Sequence, residues 1–225
     1  MSGYQIECIS LSKQYTRNKQ IVNAVDDINL CIRKNEMVIL KGRSGAGKST
    51  LLNLMCGLIT PTRGKVMIDN ICINELPNDA LSELLLNRIG IIFQSFNLLP
   101  TYSVYENIEI AIIPKGLSHN TVKENIMSLL QQFNLKDKTH LLPSELSVGQ
   151  QQKVAIIRTL IKQPSIIFAD EPTGSVDNET AGEILDHLMN FKKEKQVTLI
   201  IATHGNIPEK FADKIFTIEN GRLKE

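Results

Sequence analysis

The chain has 225 residues, 42% of them hydrophobic, and a net charge of +1. That length suits one domain with a substantial core, and the near-neutral charge offers no electrostatic footprint for nucleic acid, so no nucleic-acid partner is expected. Cys8, Cys31, Cys56 and Cys72 show no C-x-x-C spacing and no accompanying histidine cluster, and no apolar run approaches membrane-spanning length. Reduced, buried thiols are therefore expected rather than zinc ligands or disulfides, and neither a secretory leader nor a transmembrane segment is expected.

Residues 5–11 and 22–32 alternate weakly between apolar and polar and predict two strands. Met37-Val38-Ile39-Leu40 predicts a buried strand, and Thr50-Leu51-Leu52-Asn53-Leu54-Met55 the start of a helix. Between them lies Gly42-Arg43-Ser44-Gly45-Ala46-Gly47-Lys48-Ser49, two glycines flanking four residues and then Lys-Ser. Strand, loop and helix form the context that a phosphate-binding loop needs. Its glycines let successive backbone N–H groups turn inward around phosphate oxygens, and the helix N-terminus adds partial positive charge. Lys48 then carries a full charge to the β- and γ-phosphates, and the Ser49 hydroxyl is a candidate ligand for Mg²⁺.

Further on, residues 61–64 predict a turn, and Asp69-Asn70 a hairpin between strands 65–68 and 71–73. Asp79 is the expected cap of a helix ending at Asn87, and 89–93 is a continuous apolar run expected of a strand covered on both faces. From 95 to 162 helices alone are expected, over 104–112, 121–133 and 148–161. Strand 166–169, helix 179–193, strand 197–202, strand 215–219 and a turn at Asn220-Gly221 into a last short strand close the chain. Strands alternating with helices around a phosphate loop predict a parallel α/β core in a single domain, with the segment of about 95–162 inserted as a helical subdomain.

Ser165-Ile166-Ile167-Phe168-Ala169-Asp170-Glu171 is an apolar strand ending in two acids. Asp170 is positioned for Mg²⁺, directly or through water. Glu171, one residue on, is expected to point elsewhere by strand alternation, where it can orient and deprotonate a water.

Leu146-Ser147-Val148-Gly149-Gln150 opens a predicted helix. Here the chain resembles the ATP-binding-cassette (ABC) ATPases, whose signature is Leu-Ser-Gly-Gly-Gln. Other elements of that family follow in order. Gln94 corresponds to the Q-loop glutamine, Ser175-Val176-Asp177 to the D-loop, His204 to the switch histidine, and Tyr15 to an aromatic that stacks on adenine. The resemblance implies a P-loop NTPase fold, with a RecA-like parallel core, an N-terminal antiparallel β subdomain and an inserted α-helical subdomain. It implies an ATPase using ATP and Mg²⁺, with Arg43, Ser44, Gly45, Ala46, Gly47 and Thr50 around the phosphates and Ser49, Gln94 and Asp170 at the metal. His204 would contact the γ-phosphate. Ser147, Gly149 and Gln150 would contact ATP across a head-to-tail homodimer, with Asp177 linking the two sites. Val148 replaces the first signature glycine, which leaves the contact residues in place but crowds the interface.

Phe93-Gln94-Ser95-Phe96-Asn97-Leu98-Leu99-Pro100, Glu106-Asn107 and Ala169-Asp170-Glu171-Pro172-Thr173-Gly174 resemble the MacB/LolD/FtsE-like branch. That branch implies a peripheral subunit on the cytoplasmic side of the membrane. It would drive a separate membrane subunit docked at the Gln94 loop and helical subdomain, with Phe96, Leu98, Leu99 and Tyr102 lining the groove. The implied cargo class is peptide, drug or lipoprotein. The alternative is a mechanotransmission module whose membrane partner transports nothing.

Overall fold

The computed structural model describes residues 3–17, 20–205 and 207–224. The chain opens with β1 (Ile6–Arg17), β2 (Gln20–Ile32) and β3 (Met37–Lys41), then α1 (Lys48–Met55). Next come β4 (Arg63–Ile68), β5 (Ile71–Cys72), α2 (Asn78–Asn87) and β6 (Ile89–Ile92). Helices α3 (Val104–Glu109), α4 (His119–Gln132) and α5 (Val148–Leu160) precede β7 (Ile166–Asp170). The order closes with α6 (Asn178–Lys195), β8 (Thr198–Thr203), β9 (Lys214–Glu219) and β10 (Arg222–Lys224).

These strands form two sheets. A four-stranded antiparallel sheet runs β2-β1-β4-β5. A six-stranded sheet runs β10-β9-β3-β8-β7-β6, parallel except for β10. The central strands explain the uninterrupted apolar runs. Val38 and Leu40 of β3, Ile166 and Phe168 of β7, and Ile200 and Ala202 of β8 pack toward α1 and the antiparallel sheet. Their neighbours Met37, Ile39, Ile167, Ala169, Leu199 and Ile201 pack on the opposite face with α3–α6. Side chains alternate between the faces of a strand, so a strand covered on both faces must be apolar at every position.

Local expectations are met with instructive exceptions. Asp69 and Asn70, at φ 47° and 65°, make the two-residue hairpin turn. The strand after it stops at Cys72, because Ile73 starts a 3-10 turn and is buried. Arg63 and Gly64 belong to β4 rather than to a turn. Asp79 does not cap α2. That helix starts one residue earlier, after Pro77, with no side-chain cap, and Asp79 sits in its first turn, where its charge favours the helix dipole. Helix α3 ends at Glu109 rather than Ile112, with a 3-10 turn at Ile113–Lys115. Pro114 has no N–H to continue the helix and disfavours helical backbone at the residue before it. Between β6 and β7 the described residues contain helices and turns and no strand.

Candidate active site

Parallel pairing aligns the carboxyl ends of β3, β8 and β7, with Lys41 beside Thr203 and Asp170 beside Ala202. The loop after β3, the acids after β7 and His204 after β8 therefore emerge together, as ligand-binding groups do at the carboxyl edge of an open α/β sheet.

Gly47 caps α1 at φ 105°, and a Cβ there would lie 2.1 Å from the Ala24 carbonyl oxygen. Only glycine fits that turn. No side chain caps α1, so its first-turn N–H groups are left to a ligand. Leu51, Leu52 and Leu54 anchor the helix in the core. Lys48 is buried, and its Nζ donates to the carbonyls of Gly42 at 2.9 Å and Arg43 at 3.1 Å. A cleft of about 520 Å³ lies between residues 42–46 and 217–220. A second, of about 500 Å³, reaches from Gly42, Arg43 and Ser44 to Thr203, His204 and Gly205. Ser49 is exposed and Thr50 half-buried at the start of α1.

Glu171 is not turned away from this centre. The strand ends at Asp170, and Glu171 takes a left-handed φ of 47° that brings its buried carboxylate to the end of β8. Alternation no longer applies there. Oε1 accepts from the His204 backbone N–H at 2.8 Å and from His204 Nδ1 at 2.6 Å. Oε2 accepts from the Thr203 hydroxyl at 3.1 Å, and Lys48 Nζ stands 3.9 Å from Oε1. Thr203 was not singled out from the sequence, although a polar residue ending an apolar strand beside His204 is a usable signal.

Asp170 hydrogen-bonds Ser49, while its Oδ1 is buried with no partner. Burial is the main cause that raises its pKa above the usual carboxylate range, with Glu171's charge adding to it, against lowering by the Ser49 hydroxyl and Lys48. A buried carboxylate oxygen lacking a donor, next to a hydroxyl, fits a hard, oxygen-seeking cation.

Other candidate residues stand apart from these clefts. Ser147 caps α5 and accepts from the Gln150 N–H at 3.3 Å, while Gln150 Oε1 accepts from the Ser147 N–H at 3.0 Å. Gln150's side chain is thus engaged in capping. A Cβ on Gly149 would lie 2.8 Å from Thr180 Cγ2, so close packing on α6 already requires glycine there. Val148, half exposed, begins α5 outside the left-handed region. Asp177 caps α6, and the Thr180 N–H and hydroxyl hold its carboxyl below the usual range. Tyr15, on β1, is half exposed, with Lys13 Nζ 5.4 Å from its ring centre. Gln94 is exposed just beyond β6.

A largely apolar groove of about 330 Å³ opens next to Phe93, the neighbour of Gln94, and is lined by Leu86, Phe93, Ile110 and Ala111 together with Arg158 and Lys162. Phe96, Leu98, Leu99 and Tyr102 do not line it. Arg158 holds the carbonyls of Phe96 and Asn97, and Asn107 binds Leu99 and Tyr102, which folds this loop back on α3 and α5. Leu98 packs against the core.

A profile of the ABC transporter family matches residues 25–174, across the phosphate loop, the signature and the paired acids. The chain belongs to the ABC transporter family. It is an ATP-binding cassette, a P-loop ATPase, and its relatives bear out the expected likeness to the LolD-like branch. It is 43% identical over 216 residues to the lipoprotein-releasing system ATP-binding protein LolD of Ehrlichia ruminantium, covering 96% of this chain and 94% of that one. It is 39% identical over 203 residues to the ABC transporter ATP-binding protein YtrE of Bacillus subtilis, covering 90% and 88%. The dimeric structure of the ABC transporter cassette MJ0796 superposes with a TM-score of 0.93 at 35% identity, covering 98% of this chain and 97% of that one. A dimeric post-hydrolysis state of MJ0796 bound to ADP and Pi superposes at 0.92.

Proposed function

We propose that two copies of this chain face head to tail and sandwich ATP, each phosphate loop completed by Ser147 and Gly149 of the other copy. The observation that carries this is the division of the site. Lys48, Glu171 and His204 converge around one loop, whereas the signature residues line neither cleft beside it. One copy therefore holds half of the expected contacts, and the dimeric MJ0796 cassette supports the same assembly.

In the sandwich, Lys48 leaves its loop carbonyls for the phosphates, and the first-turn N–H groups of α1 close around the same oxygens. Tyr15 offers its ring to adenine. Ser49, Asp170 and Gln94 would hold Mg²⁺, which supplies charge neutralisation to the β- and γ-phosphates. Glu171 takes the proton of the attacking water, and His204, oriented through Nδ1 by Glu171, presents Nε2 to the γ-phosphate. Asp177 sits where the two copies meet. ATP favours the closed pair, and hydrolysis releases it, a ligand-driven population shift.

The groove beside Gln94 receives a helix of a separate membrane subunit. Its apolar lining and the cations Arg158 and Lys162 suit an amphipathic segment with an acidic end. The proposed docking implies a peripheral position on the cytoplasmic face of the membrane. Among peptide, drug and lipoprotein, the cargo class proposed from its LolD relatives is lipoprotein.

Complementation tests the sandwich. Lys48→Ala and Ser147→Arg are each expected to abolish turnover alone. Mixed, they form heterodimers with one intact site and regain part of it. No recovery on mixing, with both variants folded, overturns the shared site. Co-purification from the host tests the rest: a partner without membrane segments overturns the transporter assignment.

A further inference from the structure

Gln152 is 1% exposed and, with Thr159, one of two buried polar positions in a helix otherwise packed by Val154, Ala155, Ile156, Ile157 and Leu160. Its Nε2 donates to the Pro172 carbonyl at 2.7 Å. Its Oε1 is buried with no partner. The amide cannot be reversed, because a proline carbonyl only accepts. A buried acceptor without a donor costs stability, but an apolar side chain of similar volume would in turn leave the buried Pro172 carbonyl without its donor. The net effect of the glutamine on stability is therefore small, and its distinct effect is on position.

The position it governs is that of Glu171. A non-glycine residue at φ 47° is unfavourable by itself and persists only when its surroundings hold it. Three hydrogen bonds do so: Glu171 N–H to the Ala202 carbonyl at 2.9 Å, Gly174 N–H to the Glu171 carbonyl at 3.1 Å, and Gln152 to Pro172. The first two come from the core sheet and from the turn itself. The third comes from α5, whose N-cap is Ser147.

We infer that Gln152 is a positioning residue that ties the signature helix to the turn carrying Glu171 within one chain. Ser147 reaches toward the other copy's ATP, and Gln152, on the same rigid helix, sets the aim of its own copy's carboxylate. A shift of α5 on closure of the pair is thus felt at the second site without any contact to nucleotide. The inference rests on Glu171 being the base, so Glu171→Gln is measured alongside.

Gln152→Met keeps the volume and removes both the donor and the orphaned acceptor. One buried orphan is exchanged for another, the Pro172 carbonyl, so the expected result is thermal stability changed little, KM for ATP within about twofold, and kcat reduced about tenfold or more. Turnover within twofold of the parent, while Glu171→Gln is inactive, overturns the inference and leaves the base assignment standing. Active Glu171→Gln instead removes the base assignment. Gln152→Glu keeps the question decidable if the methionine variant fails to fold. Its carboxyl donates to Pro172 only when protonated, so its turnover relative to the parent should rise as pH is lowered from about 8.5 to 6.5. A ratio independent of pH refutes the role.

Discussion

Replacing Glu171 by Gln removes one charge and almost no shape. In the parent, Oε1 accepts two hydrogen bonds from His204 and Oε2 one from the Thr203 hydroxyl. Glutamine keeps the first two by turning its oxygen to His204. Its NH₂ then meets Thr203, whose hydroxyl exchanges donor for acceptor. The fold at this corner is retained, but Lys48 loses the anion 3.9 Å away. At an effective dielectric of about 20, that attraction is about 4 kcal/mol gross, and desolvation of two buried groups offsets much of it. The nucleotide-free variant should therefore be less stable by roughly 1–3 kcal/mol. In a chain of this size each kcal/mol shifts Tm by about 2–4 °C. ATP supplies the missing negative charge, so its stabilising effect should be larger in the variant than in the parent. Loss of the base should lower turnover by about 100- to 10,000-fold, while gel filtration shows an ATP-dependent dimer. Phosphate release and thermal unfolding with and without ATP measure these quantities. Turnover within tenfold of the parent, or an ATP-induced Tm shift no larger than the parent's, would refute the reasoning.

Lys48→Ala should weaken ATP binding at least tenfold, about 1.4 kcal/mol, and calorimetric titration at unaltered affinity would disprove the loop's role. Val148→Gly should leave ATPase activity equal or higher, because the half-exposed valine crowds the face that meets the other copy; a large fall in steady-state turnover would contradict this. Asn107→Ala removes the bond accepted from the Leu99 N–H and the two side-chain N–H donors shared among the carbonyls of Leu99, Tyr102 and Ser103. It should cost about 2–4 kcal/mol in urea unfolding at unchanged m-value, and a cost under about 1 kcal/mol would refute the accounting. Burial pushes the Cys56 thiol up to about 12, whereas an unfolded thiol titrates near about 8.5. Its contribution is complete below that lower value, and stability falls by about 1.4 kcal/mol per pH unit as pH rises toward 12. Cys56→Ala should flatten that fall, and an unchanged slope between pH 9 and 10.5 counts against it.

The phosphate loop and the paired acids are legible in the chain because each is a local rule. Gly47 must take a positive φ, and an apolar strand runs into its acids. What escaped depends on elements distant in sequence. The aim of Glu171 is set by Ala202 and Thr203 on another strand, by His204 just past it, and by Gln152 on α5 through Pro172. The withdrawal of Leu98 from the surface follows from Arg158 and Asn107 gripping the loop around it. Asp79 misled because a helix start can be carried by Pro77 alone, leaving the acid in the first turn.

Lys162, in the lining of the groove, has consequences for chemistry as well as for docking. Burial first, then the neighbouring charges of Lys115 and Arg158, bring its pKa down to about 8. Roughly a tenth of this amine is unprotonated at neutral pH, against less than one in a thousand for an ordinary lysine. A neutral amine still has two N–H bonds, enough for the Leu85 and Ile89 carbonyls it serves. In that form Lys162 is an unprotonated amine in the lining of the groove. Acylating reagents at neutral pH become a footprint of that surface, with labelling of Lys162 in the isolated cassette and protection wherever another helix has taken the groove.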